Sequence, residues 1–249
     1  MEAPAQVLVL VETSPAVYLI HRQHLEAAYA LLDGLAADDW VGLGTYDQSP
    51  RLALNFTQDK RAVQQALLGL HYNLGMAQLN LFDSLRVALD WLDPLAGKKA
   101  VLLLSTGLDN SGGGRWDALV QKLWASDVVL YPIALGGELR EAKKKGKLAE
   151  DDGGLSFEQA GRALEALAQL TGGRAYFPRR ASDFAGIYGQ IATALRHQYS
   201  LGFPPPTRDA RFHKIEVQLL DARGRILWPT EGNPPYRIHA RPGYLAPSP

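Results

Sequence analysis

The segment VLVLVETS, residues 7–14, runs through five consecutive apolar residues into Glu12, Thr13 and Ser14. A short unbroken apolar run of this kind suits a strand buried on both faces, the situation of a central strand in a parallel sheet. KKAVLLLST (residues 98–106) and VVLYPIAL (residues 128–135) repeat the pattern. Amphipathic stretches lie between and after these runs. Leu25, Ala28, Tyr29, Leu32 and Leu35 recur at helical spacing, as do Val63, Ala66, Leu67 and Leu70, then Phe82, Leu85, Leu89 and Leu92. Residues 116–124, 155–170 and 184–197 read as three more helices, the second stopped by Gly172 and Gly173. Thr57 is placed to cap the helix that starts near Lys60.

WVGLGTY (residues 40–46) and RLALNF (residues 51–56) read as a hairpin about the turn at 47–50, and AYF (residues 175–177) as a short strand. This alternation specifies an α/β fold: a doubly wound, Rossmann-like, mostly parallel sheet covered by helices on both faces. The 7–11 strand is expected at its centre, with the 98–106 strand as a direct neighbour.

After Gln198 the pattern changes to short strand-like runs, YSLGF, FHKIEVQLL, RILW and YRIHARPGY, separated by proline- and glycine-containing turns. The expected organisation is a core domain over residues 5–200 and a β-rich extension over residues 201–246 packed on it. Ile215, Val217 and Leu219 alternate with Glu216 and Gln218, so one face of that strand is apolar and calls for cover, and YRIHARPGY offers a pairing strand. GGELREAKKKGKLAEDDGG, residues 136–154, reads as a solvated, mobile insertion, with Lys143, Lys144 and Lys145 as an alternative docking run.

Composition narrows the function classes. Hydrophobic residues at 47% and charged residues at 21% are ordinary for a globular chain. Twenty-six basic residues balance 26 acidic ones, which argues against a nucleic-acid or anionic-membrane partner. The absence of cysteine removes disulfides, thiolate catalysis and zinc–thiolate sites together. No apolar run reaches the ~20 residues of a membrane span, and the N-terminal segment lacks the basic region of a signal peptide. Ser14 follows a strand but lacks the glycines of a nucleophile elbow. NSGGGRW (residues 110–116) is glycine-rich but lacks the Gly-Lys-Ser/Thr ending of a phosphate loop. His21 and His24 have no third ligand nearby in sequence, so zinc is not expected there.

Ligands on open α/β sheets settle beyond the carboxyl ends of the strands, where strand order reverses. The loops at residues 12–18, 72–80 and 105–114 are expected to converge there. Tyr18, Tyr72 and Trp116 flank these loops, and with Asn110 they form the candidate recognition rim, since aromatics with a polar handle are enriched at interfaces.

VLVLVETS, the 38–67 stretch, LFDSLRVAL, KKAVLLLSTGLDNSGG, GGRAYF, LRHQYSLGF, FHKIEVQL and ARPGYLA, in that order, resemble a bacterial family related to von Willebrand factor type A (VWA) domains and expanded in Acidobacteria. The resemblance covers residues 7–246 and implies a VWA sheet used for protein binding, often in exported proteins. Intact VWA domains hold a divalent cation through an Asp-x-Ser-x-Ser loop, a threonine and an aspartate. By that resemblance the positions here are Glu12, Ser14, Ala16, Leu79 and Thr106: one serine kept, one acid lengthened, the others replaced. Mg²⁺ wants six oxygens in near-octahedral order, so a disabled metal site is expected and no cofactor. The alternative is a cation-dependent adhesion domain with a shifted Mg²⁺ site built from Glu12, Ser14 and Asp109. The resulting expectation is a non-catalytic protein-binding or assembly module, with no nucleic acid and no membrane insertion. An enzyme of the hydrolase or nucleotide-binding class and an architectural domain that self-associates through the β tail are the competing classes.

Overall fold

A computed structural model of the chain describes residues 4–18, 28–29, 31–75, 78–112, 115–135, 137, 157–180, 182–227 and 238–247. His21, His24, Leu25, Lys143, Lys144, Lys145 and nearly all of the 136–154 insertion lie outside them. Five strands, β1 (Ala5–Glu12), β2 (Trp40–Tyr46), β3 (Pro50–Thr57), β4 (Lys98–Ser105) and β5 (Val129–Ala134), form one sheet in the order β3-β2-β1-β4-β5. β1 pairs parallel with both β2 and β4, and β4 pairs parallel with β5; the β2–β3 hairpin is antiparallel. The 7–11 segment is therefore central and directly beside β4. Tyr176 joins β5 through one parallel bridge to Ile133, which is all that the AYF segment contributes to the sheet.

The two-residue period of the strands divides the core into two layers. Val7, Val9, Val11, Leu102, Leu104 and Ile133 face one side, with Leu31, Leu32, Val63, Tyr188 and Ile191 packed over them. Leu8, Leu10, Val101, Leu103 and Leu130 face the other, under Leu81, Leu85, Leu89, Leu119, Leu164 and Leu167. The helices Lys60–Leu68 and Asp183–Arg196 thus cover one face, and Leu81–Leu92, Trp116–Ala125 and Phe157–Thr171 the other. Burial on both faces is what makes β1, β4 and β5 continuous apolar runs.

One local expectation is corrected. The Lys60–Leu68 helix is capped by Asp59, whose carboxylate accepts from the amides of Arg61 and Ala62. Thr57 Oγ1 instead accepts from the Asp59 amide at 3.1 Å, one step outside the helix. The aspartate reaches the orphan amides of the first turn, so it takes the cap.

Beyond the sheet, β6 (Phe212–Lys214) pairs antiparallel with β7 (Gly243–Leu245). The ladder is shorter than the alternation of FHKIEVQLL suggests. Phe212 stacks on Trp124 at 4.4 Å between ring centroids, and His213 on Tyr244 at 5.6 Å. Beyond β6, Ile215 and Val217 are half-buried while Lys214, Glu216 and Gln218 are exposed, so the alternation read in the sequence persists as far as Val217. Leu219 is 41% exposed. RILW supplies a single bridge, Ile226 to Leu220, and YSLGF forms no strand. Arg241 donates to the carbonyls of Leu123 (3.3 Å) and Val128 (2.9 Å), tying this segment to the core.

Candidate functional site

Strand order reverses at β1, and the carboxyl ends of β1, β2 and β4 meet there. The register sets Glu12 beside Tyr46 of β2. Val11 pairs with Leu104, so the next step along the ladder brings Glu12 beside Ser105 of β4. Three polar side chains stand abreast at the strand ends, on the side of the Leu81–Leu92 helix.

Glu12 is fully buried, at 0% exposure. Its Oε1 accepts from Ser14 Oγ at 2.6 Å and Thr106 Oγ1 at 3.1 Å. Its Oε2 accepts from the Thr106 amide at 2.7 Å and lies 2.9 Å from Thr106 Oγ1 and 3.1 Å from each of the Tyr46 and Ser105 hydroxyl oxygens. Tyr46 and Ser105 also contact each other at 2.6 Å. Each hydroxyl has one proton, so one of this pair donates to the other and the second donates to the carboxylate. Burial, then the adjacent Glu12 charge, pushes the Tyr46 phenol well above its ordinary value of 10.0, which keeps its proton in place as a donor. Ser105 Oγ in turn accepts from the Gly107 amide at 2.8 Å. The result is a closed nest of donors around one carboxylate.

The other positions singled out in the sequence fall around this nest. Ala16 lies in the short Pro15–Tyr18 helix that follows Ser14. Leu79 is 7% exposed and contributes a buried apolar side chain. Asp109 points at the start of the Leu81–Leu92 helix: Oδ2 accepts from the Phe82 amide at 2.9 Å, and Oδ1 from the Ser111 amide and hydroxyl. The carboxylate is used as a helix cap, which is where the partial positive charge of a helix favours an anion. Asn110 brackets Leu79.

On the rim, Tyr18 and Tyr72 meet edge to face at 5.7 Å, and Trp116 meets Phe82 the same way at 5.2 Å. Tyr18 is 41% exposed and Leu74, next to the Tyr72 loop, 63%. The structure thus splits the aromatic rim into two clusters, Tyr18–Tyr72 and Trp116–Phe82. Sequence reasoning missed Tyr46, Ser105, Asp47 and Asn73. Asp47 is buried and accepts from Asn73 Nδ2 at 3.3 Å and Arg51 at 3.4 Å, while the Asn73 amide donates to the Thr13 carbonyl at 2.9 Å. A usable signal was present: Tyr46 and Ser105 are the last residues of strands whose middles, residues 41–44 and 100–104, carry no polar side chain. Among the described residues, no group of three or more His, Asp or Glu side chains is arranged to hold a metal ion. No described helix is long and apolar enough to cross a membrane.

The architecture is a doubly wound α/β sheet with a polar cluster at the point where strand order reverses. No family model matches the chain, and no curated protein matches it. Solved structures do. A von Willebrand factor type A protein from Catenulispora acidiphila superposes with a TM-score of 0.60 at 15% identity, over 78% of this chain and 43% of that one, so the chain spans less than half of that protein. An aerotolerance-related membrane protein from Bacteroides fragilis NCTC 9343 gives 0.58 at 14% identity, over 76% and 98%. The vWF domain of the type V pili tip protein Mfa5 from Porphyromonas gingivalis gives 0.57 at 13% identity, over 83% and 100%. The chain has the VWA fold.

Proposed function

We propose that this chain is a non-catalytic protein-binding module of the VWA type that works without a metal ion. The observation that carries the reading is the Glu12 nest. Ser14 and Thr106, the two metal-loop positions other than Glu12 that retain a side-chain oxygen, donate their hydroxyls to the Glu12 carboxylate. Leu79 and Ala16 offer no oxygen at the remaining two. A hard cation needs several oxygens turned toward one point at about 2.1 Å. Here both carboxylate oxygens are turned toward protons instead, so the residues fit a divalent cation poorly. Asp109, the acid that a shifted site would recruit, is engaged as the Phe82 cap.

Protein binding is favoured by the rim. Tyr18, Tyr72 and Leu74 form an aromatic and apolar ledge beside the nest, the kind of surface that anchors interfaces. The pilus-tip and other VWA-fold proteins to which the chain is similar lend the same reading, as does the resemblance carried by the sequence segments. The working surface is the loop rim, the partner a protein, and no residue is assigned to catalysis. Calorimetric titration with Mg²⁺, Mn²⁺ and Ca²⁺ tests the metal-free part: no stoichiometric binding is expected. Tight binding of one ion, abolished by Glu12→Ala, would instead establish the cation-dependent adhesion domain. Proximity capture compared between wild type and Tyr18→Ser tests the surface. Capture that survives chelator but is lost in Tyr18→Ser is the expected pattern.

A further inference from the structure

A divalent ion at the end of a VWA-type sheet would tie separate loops to one point, and a rim without it needs another tie. We propose that the dipeptide Asp109–Asn110 is that tie, a clasp that sets the rim by protein–protein hydrogen bonds; the inference rests on the metal-free reading above. Asn110 reaches Leu79 twice. Its amide donates to the Leu79 carbonyl at 3.0 Å, and its side-chain Oδ1 accepts from the Leu79 amide at 2.5 Å. One residue earlier, Asp109 Oδ2 accepts from the Phe82 amide at 2.9 Å while Oδ1 holds Ser111. The loop after β4 therefore grips both the 78–80 segment and the first turn of the Leu81–Leu92 helix. That segment is bound from the other side as well, by the Asn80 amide donating to the Asp47 carbonyl at 2.9 Å. Asp47 accepts from Asn73 Nδ2, and the Asn73 amide donates to Thr13. The loops after β1, β2 and β4 and the loop before the Leu81–Leu92 helix are joined in one chain of side-chain and backbone bonds.

Asn110 is exposed, while Leu79 is nearly buried. A solvent-facing asparagine that satisfies both backbone groups of a buried residue acts as a positioning residue for the loop it holds. A carboxamide suits this position because Oδ1 accepts from a neighbouring amide while the side chain adds no charge beside the Asp109 carboxylate. The clasp places Leu79, the apolar residue at the former threonine position, under the rim, and it fixes the start of the helix whose Phe82 carries Trp116.

Hydrogen–deuterium exchange on the full chain tests this, with wild type, Asn110→Ala, Asn110→Asp and Asp109→Ala compared in chelator and in excess Mg²⁺. Wild type should show the same protection at Leu79 and Phe82 in both media. Asn110→Ala should speed exchange at Leu79 on the order of tenfold, the effect of removing one hydrogen bond of ordinary strength, with β1 and β4 amides unchanged. Asn110→Asp retains the Oδ1 acceptor and should restore protection at Leu79, and Asp109→Ala should expose Phe82 selectively. Unaltered Leu79 exchange in Asn110→Ala, or loss spread evenly through β1 and β4, overturns the clasp. Mg²⁺-dependent protection in wild type overturns the metal-free reading instead, so the two failures are distinguishable.

Discussion

Replacing Glu12 with glutamine changes one buried atom and reverses the electrostatic demand of the site. If the donor nest satisfies the carboxylate, neutralising it turns hydrogen bonds to a charged acceptor into neutral ones. Bonds to charged groups are worth about 1.5–3 kcal/mol each, against about 0.5–1.5 for neutral pairs. The hydroxyls of Ser14, Tyr46 and Ser105 can rotate to accept from the new amide, but the Thr106 N–H cannot, so the amide nitrogen must take the Oε1 position near Ser14. Weakening of the bonds at Oε2 then exceeds the relief of removing a desolvated charge, with a net loss of about 2 kcal/mol. For a domain of this size that lowers the thermal midpoint by roughly 4–8 °C. The assay is paired thermal and urea unfolding in chelator at pH 7, with an unchanged m-value required for the comparison. A carboxylate that depends on a missing cation predicts the opposite sign, since an uncompensated buried charge is relieved by neutralisation. Glu12→Gln melting at or above wild type in chelator would refute the nest, and a wild-type midpoint that climbs with Mg²⁺ would show a bound ion.

Thr106→Asp with Ala16→Ser sets a second carboxylate within reach of Glu12, given that Thr106 Oγ1 lies 2.9 and 3.1 Å from its oxygens; the double variant should lose stability in chelator and regain it with Mn²⁺ or Mg²⁺, read as a shift in melting midpoint. Gly107 sits at φ +79°, and a Cβ there would lie 2.9 Å from the Ala160 carbonyl oxygen, so Gly107→Ala should cost about 1–3 kcal/mol by urea unfolding. Asp183 is held below its ordinary 3.8 by the amides of Arg179 and Arg180; its contribution is present above the unfolded value and disappears as pH falls through the folded one, so Asp183→Asn should flatten the acid limb of stability below about pH 4. Arg241→Met leaves the Leu123 and Val128 carbonyls without this donor and should cost about 1–3 kcal/mol; truncation after Gly202 should lower stability at least as much, and a truncated chain as stable as the whole would show that the tail contributes no packing.

The parts of this structure legible in the sequence were those with a short repeat. β1, β4 and β5 announce themselves as unbroken apolar runs, and the Leu81–Leu92 helix by the spacing of Leu85, Leu89 and Leu92, because burial acts residue by residue along an element. That the loops after β1 and β4 meet at the carboxyl ends of the strands followed from topology alone. The composition of the site did not, because Tyr46 and Ser105 reach Glu12 across 34 and 93 residues of chain, and only strand register brings them together. Asp109 was legible as an acid near the site but not as a cap, since that depends on where the Phe82 amide points. In the tail, alternation gave the facing as far as Val217, with Ile215 and Val217 half-buried and Glu216 and Gln218 exposed, but not the length of the ladder, which stops at Lys214.

The Arg241 contact with Val128 has a geometric corollary. Val128 immediately precedes β5, and Ala5 opens β1, so both stand at the amino-end pole of the parallel strands. Gly172, which ends the Phe157–Thr171 helix, lies against Ala240 and Arg241 at the same pole. The nest and the aromatic ledge occupy the opposite pole. A surface, scaffold or neighbouring polypeptide attached through the first strand or the terminal hairpin would meet the domain at the amino-end pole and leave the Tyr18–Tyr72 ledge at the opposite pole uncovered.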